Sequence, residues 1–89
     1  MQERSGSSTG VVRRREKAFG KALQAERLKK GISQEELGFE AGYHRTYVSF
    51  LERGLKNPTL STIMDIAATL GLQASDLVIE TEKILKDAE

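Results

Sequence analysis

The fold of this chain is decided by residues 34–53, which read QEELGFEAGYHRTYVSFLER. Residues 34–41 are expected to form a short helix, because Ser33 and Glu36 have the spacing of a capping box. In that motif each of the two side chains satisfies a free backbone amide at the helix start. Gly42 then ends the helix, since glycine adopts the left-handed conformation at little cost.

A second helix is predicted immediately afterwards. Residues 45–53 carry apolar side chains at helical spacing, with His44 as a possible N-cap and Gly54 as the terminator. Two helices separated by only three residues must cross steeply, and small or apolar side chains are needed where they touch. The residues expected at that contact are Leu37, Gly38, Ala41, Tyr43, Val48 and Leu51.

Three further helices are predicted around this pair. Helix 1 begins within residues 11–17 and ends at Gly31, helix 4 runs from the cap Thr59 to Gly71, and helix 5 starts near Ser75. The residues that repeat at helical spacing are, in helix 1, Phe19, Ala22, Leu23 and Leu28; in helix 4, Leu60, Ile63, Ile66, Ala67 and Leu70; and in helix 5, Leu77, Val78, Thr81, Ile84, Leu85 and Ala88. With no strand pattern, the chain is expected to be all-α with about five short helices.

Length and composition restrict the function. The 89 residues suffice for one domain with a modest core. With no cysteine and one histidine, we expect no disulfide, no thiolate or histidine-cluster metal site, and no cofactor. No apolar run is long enough to span a membrane, and the polar first ten residues lack the apolar region of a signal peptide. We therefore expect a cytoplasmic protein with no membrane partner.

The small net charge of +1 conceals an asymmetry along the chain. Residues 1–31 carry nine Lys or Arg against three Glu, whereas residues 59–89 carry two bases against six acids. A basic first part and an acidic last part suit a protein whose first half faces a polyanion. Residues 1–15, which include three consecutive arginines, are expected to form a flexible basic arm. A solvated basic tail without a partner is the alternative.

Several segments in one order resemble the five-helix Cro/repressor type of helix-turn-helix regulator, also called the XRE family. They are Arg27-Leu28, Gly31-Ile32-Ser33-Gln34-Glu35-Glu36-Leu37, Tyr47-Val48-Ser49, Leu51-Glu52-Arg53-Gly54, Asn57-Pro58-Thr59-Leu60 and Leu70-Gly71-Leu72. The resemblance covers about residues 16–77. Gly38 departs from the pattern, since alanine is commoner there, and it should lower the helix propensity by about 1 kcal/mol.

The resemblance implies a lambda-repressor-like DNA-binding domain over residues 16–89, with the helix-turn-helix at residues 34–53. Within the family, residues 44–49 and Glu52-Arg53 look most like the controller proteins of restriction-modification systems. We therefore expect a transcriptional regulator, not an enzyme, that binds double-stranded palindromic operators as a homodimer. The alternatives are an antitoxin, a phage-type repressor, and an interaction module that has lost DNA binding.

Base contacts are expected from the start of the second helix of the motif, the recognition helix. Arg45 has the planar fork that can bond O6 and N7 of guanine together, and Thr46 can bond a base edge or touch a thymine methyl group. Ser49 lies one turn further on the same face. The alternative for Arg45 is that it only grips a phosphate.

Contacts to the DNA backbone are expected from residues beside the recognition helix. By resemblance, Gln34 holds a phosphate with the free amides of its helix, and the loop after the recognition helix holds a second one. His44 is a cap or a phosphate neighbour, Tyr47 either bonds a phosphate or packs, and Phe50 either faces the DNA or covers the core. The candidate backbone contacts are Gln34, His44, Tyr47, Arg53, Lys56 and Asn57.

Two further groups of residues complete the expectations. By resemblance, Arg27 and Glu52 form an ion pair beneath the motif that orients the recognition helix. Residues 72–89 are expected to form the dimer contact, because the last helix carries more apolar surface than one neighbour can cover. The predicted interface residues are Leu72, Leu77, Val78, Ile84 and Leu85, and the alternative is that the last four fill the core of the monomer. RNA polymerase is a further candidate partner.

Overall fold

In a computed structural model, residues 13–88 are described, and they form five α-helices without a strand in that stretch. The predicted all-α, five-helix architecture is thereby confirmed. The helices are α1 (Arg14–Lys30), α2 (Gln34–Ala41), α3 (Arg45–Glu52), α4 (Leu60–Thr69) and α5 (Ala74–Asp87).

The predicted caps are present where the helix boundaries matter most. The hydroxyl of Ser33 accepts a hydrogen bond from the Glu36 amide at 3.0 Å, and the Glu36 carboxylate accepts one from the Ser33 amide at 2.8 Å. Gly42 has φ of 88°, in the left-handed region, and ends α2. The Nδ1 atom of His44 accepts a hydrogen bond from the Thr46 amide and caps α3. These local interactions fix the tight turn between α2 and α3.

The core lies where all five helices meet, on the inner side of the helix-turn-helix. Helix α5 packs against α1 and α4, and α3 packs against α1 and α2. Buried leucines from four helices fill the centre, which ties the motif to the rest of the domain. The buried core residues are Phe19, Leu23, Leu37, Val48, Leu51, Ile66, Ala67, Leu70 and Leu77.

Helix α1 differs from the prediction in two ways. Arg14 and Arg15 belong to the helix, so the predicted basic arm 1–15 is too long by two residues, and its residues 1–12 lie outside the described chain. Leu28 was expected on the apolar face but is 61% exposed, because it lies about 140° around the helix from the buried Leu23, whereas Arg27 lies close to the buried side. Adjacent residues on a helix point about 100° apart, so Leu28 faces the solvent.

Helices α4 and α5 also correct the predicted pattern. Leu60 is exposed because it is the first residue of α4, where the helix has not yet reached the core. Leu77 was predicted in a dimer interface, but its side chain is fully buried in the core of the monomer, and that prediction is wrong. Among the described residues no single helix is long and apolar enough to cross a membrane, and α4 and α5 meet that test only together, across a bend of 105°.

Candidate DNA-binding surface

Helix α3 divides its residues cleanly between an inward and an outward face. Val48 and Leu51 are fully buried. Arg45 and Thr46, at the N-terminal end, are exposed, and Ser49 on the following turn is half-buried. The end of α3 that sequence reasoning assigned to base contact therefore faces the solvent, where a duplex can reach it.

A buried ionic network holds α3 from behind. The Nε and Nη2 atoms of Arg27 donate to the two carboxylate oxygens of Glu52 at 2.6 and 3.0 Å. The side-chain Nε2 atom of Gln34 donates to the same carboxylate at 2.9 Å, and Nη1 of Arg27 donates to the Ile32 carbonyl. The hydrogen bond to Glu52 raises the pKa of Arg27 above its ordinary value, so the guanidinium keeps its proton. The predicted ion pair is present, and it joins α1, α2 and α3.

This network changes the expected role of Gln34. Its side-chain nitrogen donates a hydrogen bond to Glu52, so the side chain helps to orient α3. Gln34 also lies at the start of α2, where it was predicted to hold a phosphate. A hydrogen-bond donor that is already fixed in place loses less freedom on binding a ligand. The predicted phosphate contact by Gln34 stays a prediction.

Two glycines allow the helices to approach closely. A Cβ atom on Gly20 would lie 2.5 Å from the carbonyl oxygen of Leu51, at the end of α3. A Cβ atom on Gly38 would lie 2.5 Å from the carbonyl oxygen of Tyr43, in the turn. Gly38 was expected at the contact between the two helices, at some loss of helix propensity, and this packing leaves no room for the alanine that is commoner there. Sequence reasoning missed Gly20, although a glycine inside a helix is a signal of close approach.

The turn between α2 and α3 is tied to α4 by a second polar cluster. The hydroxyl of Tyr43 donates to the Asp65 carboxylate at 2.7 Å and lies 3.2 Å from the hydroxyl of Thr62. The Thr62 contact lowers the pKa of Tyr43, but the bond to Asp65 and burial outweigh it, so the pKa is raised. The rings of Tyr43 and Tyr47 pack with their centroids 5.4 Å apart, which supports the packing alternative for Tyr47.

Arg45 has a weak partner in this structure. Its Nη1 atom lies 3.7 Å from Oε1 of Glu35, on the first turn of α2. Both side chains are well exposed, 65% for Arg45 and 74% for Glu35, and exposed ion pairs contribute little stability. Arg45 can therefore leave Glu35 at small cost and turn towards a base.

The loop after α3 presents the remaining candidate contacts. Lys56 and Asn57 are exposed, and so is Arg53. The guanidinium of Arg53 lies over the ring of Phe50, 5.6 Å from its centroid. Phe50 is half-buried, so it both covers part of the domain and supports Arg53 at the edge of the surface.

Comparison with known proteins agrees with this geometry. A family model described as helix-turn-helix matches residues 23–77, which contain the whole of α2, α3 and α4. The chain belongs to the helix-turn-helix family. It is 46% identical over 61 residues to the control protein C.BamHI of Bacillus amyloliquefaciens, and the aligned segment covers 67% of this chain and 75% of that protein. The family and its XRE-type, DNA-binding character are as the sequence indicated.

Solved structures of family members have the same fold. The restriction-modification controller protein C.AhdI of Aeromonas hydrophila is 39% identical, with a TM-score of 0.68 over 68% of this chain and 92% of that one. The clp gene regulator ClgR of Corynebacterium glutamicum is 29% identical, with a TM-score of 0.77 over 84% of this chain and 78% of that one. The chain is thus a DNA-binding transcriptional regulator similar to restriction-modification controller proteins.

Proposed function

We propose that this helix-turn-helix protein acts as a homodimer on palindromic operators and is the controller protein of a restriction-modification system. The observation that carries the proposal is the exposed N-terminal end of α3, braced from behind by the buried pair of Arg27 and Glu52. A rigid helix with free polar side chains at its leading end has the dimensions and the chemistry needed to enter a major groove.

Sequence is read by Arg45, Thr46 and Ser49 in this proposal. Arg45 leaves Glu35 and bonds guanine with both arms of its fork, which discriminates against another base by about 1 to 3 kcal/mol. Thr46 and Ser49 contact neighbouring base edges. This role is supported by the exposure of Arg45 and Thr46 at the free end of α3.

The DNA backbone is held on both sides of α3. Gln34 and the free amides at the start of α2 take one phosphate. Arg53, Lys56 and Asn57, at and after the other end of α3, take a second. His44 and Tyr47 lie beside the base-reading residues, where a phosphate contact is compatible with their capping and packing roles.

The homodimer forms through the outer face of α5. Val78 is 41% exposed and Ile79 is 48% exposed, so α5 carries an apolar surface that the monomer leaves open. Leu85, two turns after Val78 on the same face of α5, is half-buried and extends this surface, and the half-buried Leu72 and Ile84 are the other residues of the predicted set. In the proposed dimer the two copies of α3 meet half-sites about 34 Å apart, one turn of the duplex. Ile79 replaces Leu77 in the set predicted from sequence.

The regulatory role rests on the similarity to controller proteins. The dimer binds its own promoter and that of the associated endonuclease, and activates at low dose and represses at high dose by blocking or recruiting RNA polymerase. Such a protein acts in the cytoplasm and has no catalytic role. Control comes from its concentration and from the number and spacing of its operators.

Selection of bound sequences from a random DNA pool tests this function directly. The expected result is a palindrome whose half-sites are one helical turn apart. Arg45→Ala should then relax the preference at one position in each half-site, whereas Lys56→Ala should weaken binding to all sequences alike and flatten the salt dependence. Enrichment of no sequence would refute specific binding, and equal losses by Arg45→Ala on selected and random DNA would refute its base-reading role.

A further inference from the structure

The start of α1 lies against the loop that follows the recognition helix. A Cβ atom on Gly54 would lie 2.5 Å from Cγ of Lys17 and 2.9 Å from its Cα atom. The backbone of Lys17 therefore packs directly on Gly54, and only a glycine leaves room for it. This contact joins two segments that are 37 residues apart in the sequence, and sequence reasoning did not connect them.

The contact places three cationic residues at one end of α3. Arg53 directly precedes Gly54, and Lys56 follows it by two residues, so the Cα atom of Lys56 lies within about 7 Å of that of Gly54. Arg53, Lys56 and Lys17 are all exposed. The loop between Arg53 and Lys56 contains no acid. We call Lys17, Arg53 and Lys56 the basic strip.

The charges of the basic strip are available to an anion. Within residues 13–88, neither Lys17 nor Lys56 makes an ion pair. Lys29 and Lys83, elsewhere on the surface, each lie within 4 Å of a carboxylate three residues earlier in their own helix, at 3.2 and 3.4 Å. Unpaired cations that converge from separate segments create a local positive potential, which attracts a polyanion.

The length of α3 places the basic strip beside a phosphate chain. Its eight residues span about 12 Å, so its two ends are well separated when the helix lies in the major groove with its N-terminal residues at the base edges. When Arg45 reaches the bases in the groove, the other end of α3 lies near the wall of the groove, where the phosphates are. Lys17 is the part of the strip that lies outside the helix-turn-helix and its loop.

We propose that Lys17, seated on Gly54, is an additional contact to the DNA backbone that extends the footprint of each subunit beyond the base pairs read by α3. The inference rests on the proposed DNA-binding function and adds a residue of α1 to it. Lys17 binds a phosphate as a point charge and carries no sequence information, so it strengthens binding to operator and random DNA alike.

The test compares Lys17→Gln with Lys29→Gln, a substitution in the same helix, as a matched control. Both substitutions remove one positive charge from an exposed lysine. Glutamine keeps the Cβ and Cγ atoms of Lys17 that pack on Gly54, so thermal unfolding followed by circular dichroism should be unchanged. Lys29 lies beside Glu26 at the opposite end of α1, twelve residues after Lys17. Binding of selected operator and random duplexes is measured over a series of salt concentrations.

For Lys17→Gln we expect the slope of log K against log salt to become shallower by about 0.9 for each Lys17 contact, or about 1.8 for a dimer with two. Lys29→Gln should keep the wild-type slope. Equal slopes for the two variants would overturn the role of Lys17 while operator binding by the wild type stands. Failure of the wild-type protein to bind any duplex would overturn both this role and the proposed function.

Discussion

Glu52→Ala tests whether the recognition helix depends on the buried network. The substitution removes the acceptor of three hydrogen bonds, two from Arg27 and one from Gln34. The side chains of Arg27 and Glu52 are only 9% and 2% exposed, so water cannot replace the lost carboxylate fully. Leaving one charge of a buried pair without its partner costs about 3 to 5 kcal/mol.

That loss is large for a domain of this size. At about 0.05 to 0.15 kcal/mol per residue, the free energy of unfolding of the wild type is about 4 to 13 kcal/mol. Urea unfolding followed by circular dichroism should therefore show a strongly lowered midpoint, with partial unfolding before urea is added if the wild type is near the lower limit. Operator binding should fall in parallel with the folded fraction.

Two further variants separate the network from a general effect of charge. Glu35→Ala removes an exposed carboxylate on α2 that lies 3.7 Å from its cationic partner, and it should change the free energy of unfolding by less than about 1 kcal/mol. The double variant Arg27→Met, Glu52→Leu removes both buried charges and should be more stable than Glu52→Ala alone. If Glu52→Ala loses no more stability than Glu35→Ala, the network does not hold α3 and the reasoning fails.

Two other substitutions probe the packing of α1 and α5. Gly20→Ala should lower the free energy of unfolding by about 1 to 3 kcal/mol, as measured by urea unfolding. The added Cβ atom would press on the Leu51 carbonyl oxygen and force the end of α3 away from α1. An unchanged midpoint would show that the two helices separate freely. Replacement of Val78 and Ile79 together by Ser should convert a dimer into a monomer in sedimentation at micromolar concentration with little change in melting temperature, since both side chains are exposed in the monomer. A wild type that already sediments as a monomer would contradict the proposed α5 interface.

Local signals in the sequence predicted the helices well. The boundaries of α2 followed from Ser33, Glu36 and Gly42, and the start of α4 followed from Thr59, whose hydroxyl accepts a hydrogen bond from the Thr62 amide. Each of these interactions joins residues no more than four positions apart, so the sequence contains all the information needed. The division of α3 into inward and outward residues followed in the same way from its period.

Contacts between distant segments were harder to predict. Gly20 and Leu51 meet across 31 positions, and a glycine inside a helix does not reveal which backbone approaches it. Leu77 and Val78 are adjacent apolar residues of α5, and only the packing of that helix on α1 and α4 decides that the first is buried and the second is not. Leu28 is a different case, because it lies five residues after the buried Leu23, about 140° around α1, so the helical period alone places it on the exposed side.

The separation of duties on α3 has an evolutionary consequence. The residues that seat the helix, Val48, Leu51 and Glu52, share no position with Arg45, Thr46 and Ser49, which meet the duplex in the proposed complex. A duplicated gene can therefore accumulate substitutions at the three outer positions and acquire a new operator specificity without compensating substitutions at the buried positions. Retargeting by an engineer is reduced to the same three codons, with the scaffold left intact.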